Sequence, residues 1–146
     1  MKKSNMSRKA GFTLVELMVV AIIVALLAAV AIPLMSANRK RAASTEGEAG
    51  LGTIRSALRA VYAEKDAYNV NLNGGAIAAG SMSTLGRVPG IQTNDLDGTY
   101  FKQQHYSITS IDAQNYVLTV SGSTNRNVSG VTITLNQDGI FNYTGL

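Results

Sequence analysis

From Phe12 to Met35 the chain runs for 24 residues with a single charged side chain, Glu16. At about 1.5 Å of rise per helical residue, such a run covers the roughly 30 Å hydrocarbon core of a bilayer. It is apolar on every side, which excludes a surface-lying amphipathic helix. Ala21, Ala25 and Ala29 recur every fourth residue and offer a strip where a second helix can approach closely. The ten residues before Gly11 are short, basic and without a period that could bury a face, and they read as an address to be removed. Arg39, Lys40 and Arg41 close the apolar run on its other side.

Charge narrows the function classes. The formal charge is +4, but Lys2, Lys3, Arg8 and Lys9 supply four of the thirteen basic groups. Without residues 1–11, nine basic groups balance nine acidic ones, so the remainder is near neutral and nucleic-acid binding is not expected. There is no cysteine, which excludes disulfides, thiolate metal sites and a cysteine nucleophile. His105 is the only histidine. No Ser/His/Asp or metal-ligand grouping assembles around it, so it is read as a strand residue, and neither enzymatic activity nor a cofactor is expected. Asp95 and Asp97 are a weak candidate for a calcium loop, because two carboxylates without a longer ligand series favour a solvated turn. The sequons at Asn127 and Asn142 occur often by chance and carry little.

The helical pattern continues past the apolar run in another form, with Leu51, Ile54, Leu58, Val61 and Tyr62 on one face. Gly47, Gly50 and Gly52 lower helix propensity by up to about 1 kcal/mol each, which predicts the softest stretch of the rod there. Residues 66–99 read as a loop rich in Asn, Gly and Ser. Strand-like runs follow at 105–111, 116–120, 131–135 and 140–143, with Gly139 suited to a tight turn between the last two. The expected class is α+β: one long amino-terminal helix packed on an antiparallel sheet of three to four strands. The expected organisation is a leader at 1–11, a membrane or filament-core half of the helix at 12–35, an amphipathic half at 36–65, a loop region at 66–99 and a sheet at 100–146. Tyr100, Phe101, Tyr106, Tyr116, Phe141 and Tyr143 are read as core or subunit-contact aromatics.

At Lys9-Ala10-Gly11-Phe12-Thr13-Leu14-Val15-Glu16, with Pro33 further on, the sequence resembles the processing and methylation site of type IV prepilins of the short-leader class. The resemblance implies cleavage after Gly11 by a prepilin peptidase and methylation of the new amino terminus at Phe12. It implies a helical homo-oligomeric filament, built by an inner-membrane assembly platform with its ATPase, and a subunit that rests in the inner membrane before it reaches the cell surface. Adhesion, twitching motility and DNA uptake all use this subunit plan. Glu16 needs a reason to be in an apolar helix, since an ionisable side chain near mid-span costs about 2.5–3.5 kcal/mol. The amine that cleavage frees at Phe12 of a neighbouring subunit would be its partner and would set axial register, unless Glu16, four residues past Phe12, sits near the interface and reaches water. Pro33 lacks an amide hydrogen and its ring crowds the carbonyl of Ala29, so a kink or a locally meltable turn is expected, unless it simply ends the span.

Two other readings compete. A type II secretion pseudopilin or a minor pilin shares the same amino-terminal device. An ordinary secreted or membrane-anchored binding domain would have a signal peptide cut after Ala31, but the run from Leu17 to Met35 exceeds the usual 7–15 residue core of such signals.

Overall fold

The computed structural model describes residues 11–84, 87–122 and 128–146. The basic residues Lys2, Lys3, Arg8 and Lys9 of the expected leader, and Asn127 of the first sequon, lie outside them. The chain divides into two compact units at Ser36/Ala37.

Helix α1 spans Leu14–Lys65, 52 residues, with Pro33 inside it. It starts two residues later than the apolar run because Thr13 caps it. Thr13 Oγ1 accepts the Glu16 amide at 3.2 Å, and Glu16 Oε2 takes the Thr13 amide at 2.8 Å in return. This reciprocal Thr-x-x-Glu box satisfies two of the amides that every helix start leaves open. At the other end Asp66 turns left-handed (φ 54°) and its amide bonds Tyr62 O at 2.8 Å, which ends the helix. Pro33 does not end the helix, since the residues on both sides of it keep helical geometry.

In the first unit every large apolar side chain from Phe12 to Met35 is at least half exposed, from Val19 at 50% to Phe12 at 84%. Among the described residues no other part of that unit covers them. In the second unit α1 buries Ala43, Ser44, Gly47, Leu51, Ile54, Leu58 and Val61. From Ser44 onward these positions step by three and four, and with Ala43 beside them they form one stripe. The sequence pattern located its leucine-rich half. The half made of Ala, Ser and Gly has no hydrophobic signature.

That stripe meets a five-stranded antiparallel meander: β1 Gly80–Ser81, β2 Tyr106–Ile111, β3 Tyr116–Ser121, β4 Thr132–Asn136 and β5 Phe141–Thr144, paired in chain order. Four of these are the expected runs. The fifth, β1, is a two-residue edge strand inside the segment expected to be loop, with Gly80 opposite Ile108. Two inward rows cross the sheet, Tyr106–Val120–Ile133 and Ile108–Leu118–Leu135, and all six side chains are buried. Alternate residues point outward, which is the two-residue period of a sheet covered on one face. In β2 the extra residue Thr109 shifts the register between Ile108 and Ser110, and its hydroxyl lies 2.6 Å from that of Thr119. Gly139 (φ 86°) closes the turn between β4 and β5, its amide bonding Asn136 O at 3.0 Å.

The segment 66–99 is more than a connection. Its Tyr68, Ile77, Met82, Val88, Ile91 and Leu96 are all buried and complete the core beyond the reach of the helix. Among the aromatics, Phe101, Tyr106 and Tyr116 are buried, Tyr100 and Phe141 are half-buried, and Tyr143 is exposed.

Gly47 and Gly50 are seats for the sheet. A Cβ on Gly47 would come within 2.8 Å of Ile133 Cδ1 and 3.1 Å of Val120 Cγ1, and one on Gly50 would overlap the Tyr106 ring. Only Gly52 faces open space. The expectation of a soft stretch therefore needs correction at two of three positions: propensity given up there is exchanged for close helix–sheet approach.

Candidate functional site

The residues singled out at the amino terminus lie close together in the first unit. Gly11, Phe12 and Thr13 are non-helical and exposed, and among the described residues nothing lies within 4 Å of where a Gly11 side chain would be. The Gly11–Phe12 peptide is thus left uncovered by every other described residue, just ahead of a helix start. Phe12, Val15, Glu16, Val19 and Val20 line one shallow, largely apolar depression.

Glu16 is held by its own turn. Both the amide and the hydroxyl of Thr13 donate to the same oxygen, Oε2, at 2.8 and 2.9 Å. Among the described residues no hydrogen bond to Oε1 is present. The carboxylate is therefore fixed in direction yet keeps one oxygen free for a donor from another molecule. The Thr13–Glu16 spacing is a capping-box signal legible in the sequence, although the charge of Glu16 draws attention to an intermolecular partner first. Pro33 stands alone within α1, away from this group.

The weak calcium candidates are otherwise engaged. Asp95 Oδ2 accepts the Gln92 amide at 2.7 Å. Asp97 accepts the Gln103 amide at 2.9 Å and pairs with Lys102 Nζ at 3.0 Å. Among the described residues no group of three or more His, Asp or Glu side chains could hold a metal ion. His105 is in a short 3-10 turn, Gln103–His105, immediately before β2 rather than in a strand, and its Nδ1 accepts the Lys102 amide at 3.0 Å. A capping role explains its place.

One carboxylate with a structural task escaped sequence reasoning. Glu46 accepts three successive backbone amides, Thr99 at 2.9 Å, Tyr100 at 2.8 Å and Phe101 at 2.7 Å, and so clasps the end of the long loop to α1. Its charge and that of Asp97, added to burial as the main cause, push the Tyr106 hydroxyl well above the usual tyrosine range. At the far end of the helix Tyr62, Tyr68 and Tyr116 form a ring cluster with centroids 4.4 and 4.8 Å apart, and the Tyr62 hydroxyl donates to Gln114 at 2.8 Å. Burial raises the Tyr116 hydroxyl as well.

Residues 6–32 match the family described as Prokaryotic N-terminal methylation motif. The chain is 39% identical over 62 residues to the type IV major pilin protein PilA of Myxococcus xanthus (strain DK1622), a match covering 42% of this chain. It spans 28% of that relative's length. A crystal structure of the Neisseria meningitidis non-core minor pilin PilV superposes on 73% of this chain and 88% of its own, at 15% identity and a TM-score of 0.48.

Proposed function

We propose that this chain, whose amino-terminal segment is similar to that of type IV pilins, is a structural subunit of a type IV pilus, cut after Gly11 and polymerised through the apolar half of α1. The observation that carries the proposal is the pairing of a Gly11–Phe12 bond left open by the other described residues with an apolar segment whose large side chains are all at least half exposed and whose one charge is pre-oriented. Such a segment is stable only in lipid or against other copies of itself.

The chemistry follows from those parts. Hydrolysis of the Gly11–Phe12 amide leaves a carboxylate on Gly11 and a free amine on Phe12, which then takes a methyl group from a donor. The amine stays basic. In a dry filament core it pairs with the free oxygen of Glu16 on a neighbouring subunit, because an unpartnered carboxylate there is the costlier state. Ala21, Ala25 and Ala29 let helices approach, and Pro33, lacking an amide donor, is where α1 can lengthen as subunits pack. On this reading the subunit waits in the inner membrane, is served by the prepilin peptidase and the assembly platform with its ATPase, and ends in a surface filament.

The test is the intact mass of the protein in sheared surface filaments of its native host. The expected mass is that of residues 12–146 plus one methyl group, in the bulk component of the filament. A product beginning at Ile32 would mean a signal-peptide cut and would end the pilin reading. Presence only in trace amounts would make the chain a minor pilin or pseudopilin.

A further inference from the structure

We propose that Arg39 and Arg41 form a binding site for anionic phospholipid headgroups, holding the unassembled subunit at a fixed depth in the bilayer. This rests on the membrane stage of the reading above and not on polymerisation.

The basic triplet follows the apolar run by four residues, Met35 to Arg39, a rise of about 6 Å along a helix. A guanidinium there reaches the level of the headgroups when residues 12–35 fill the hydrocarbon. Arg39 and Arg41 are exposed, and among the described residues neither takes part in an ion pair. Their own helix offers no neutralising partner. The neighbours three and four residues away are Met35, Ser36, Ala42 and Ala43 for Arg39, and Ala37, Asn38, Ser44 and Thr45 for Arg41. The next carboxylate along the chain, Glu46, is already occupied by three amides.

Lys40 differs from its neighbours. It donates to the Gly145 carbonyl at 2.7 Å and is spent on tying α1 to the end of the sheet. The two arginines are left as charges without an internal task. They also oppose the orientation signal, since basic groups on the exit side offset the basic leader that must stay inside for cleavage. A phosphate-bearing surface supplies the missing counter-charge, and guanidinium forks match phosphate oxygens in pairs.

The full chain is reconstituted in phosphatidylcholine vesicles containing a minor share of phosphatidylglycerol. Spin-labelled lipid of each class is added in turn, and the protein-restricted fraction is read by electron paramagnetic resonance. The wild type is expected to prefer phosphatidylglycerol, less so at high salt. Arg39→Gln/Arg41→Gln should lower that preference by about fivefold for each guanidinium removed, the factor that ~1 kcal/mol per basic group near an anionic surface represents. The remainder belongs to the leader. Equal fractions of the two lipids in the wild type, or a preference unchanged in the double variant, overturns the proposal. Failure of the chain to co-float with vesicles overturns the membrane span itself and the proposal with it. Loss of duplex DNA retention in the double variant, with no lipid preference in the wild type, would reassign the two arginines to nucleic acid.

Discussion

Glu46 Oε1 lies 2.7 Å from the backbone amide of Phe101, although 55 residues separate the two in sequence. The same carboxylate holds the Thr99 and Tyr100 amides, so one side chain on α1 fixes the path of the chain into the sheet. Glu46→Ala should destabilise the unit from Ala37 onward by about 2–4 kcal/mol, because three amides lose a charged acceptor together. Urea unfolding of residues 37–146 followed by circular dichroism measures this, and a change within error would show the clasp to be dispensable.

Two of the three helix glycines, Gly50 and Gly52, should respond with opposite signs. Gly52→Ala is expected to stabilise by about 0.5–1 kcal/mol, since its position is open and alanine is the better helix former. Gly50→Ala should instead cost about 1–3 kcal/mol by driving a methyl group into the Tyr106 ring. Paired melting curves decide it, and equal shifts for both would remove the close-approach argument.

Removal of residues 1–36 should leave a soluble monomer, because the buried side chains lie from Ala43 onward. Size-exclusion chromatography with light scattering reads the outcome. Persistent association would place an unrecognised interface on the sheet or the long loop.

Alkaline pH probes the buried tyrosines. The Tyr106 hydroxyl is raised, mainly by burial and then by Glu46 and Asp97, so the fold favours its neutral form. Its contribution is complete below the ordinary tyrosine pKa of about 10 and is lost as pH climbs from there toward the folded value. Tyr106→Phe has no proton to lose, so its stability should fall less steeply than wild type above that pH. Parallel slopes in pH-dependent urea titrations would contradict the assignment.

Thr13→Ala and Glu16→Ala separate the two tasks of the amino-terminal carboxylate. Both should leave the chain in the membrane fraction. Glu16→Ala should abolish most filament yield, whereas Thr13→Ala, which removes the hydroxyl but keeps the charge and the backbone donor, should reduce it less. Normal filament yield from Glu16→Ala would remove the pairing argument.

What the sequence revealed and what it hid divide along physical lines. The face made by Leu51, Ile54, Leu58 and Val61, the four main strands and the Gly139 turn all carry local signals, a period or a residue type that a conformation demands. Glu46 carries none, because its acceptor role exists only once residues 53 to 55 positions away arrive. Gly47 and Gly50 were visible as poor helix formers, but propensity has no knowledge of the ring and methyl groups that later press on them. At the amino terminus the Thr13–Glu16 box was written in plain spacing. The free oxygen of Glu16 was not, since it depends on which rotamer the cap selects.

The strand order has a kinetic side. Each strand of the sheet pairs with its immediate neighbours in the chain, with no crossover to wait for. The β2–β3 and β4–β5 hairpins, joined through residues 112–115 and 137–140, close early and cheaply, since short loops lose little entropy on closure. A chain without cysteine has no need of an oxidising catalyst to complete its fold. The sheet is therefore suited to grow outward from its two tight hairpins, with the more distant β1–β2 and β3–β4 pairings added afterwards.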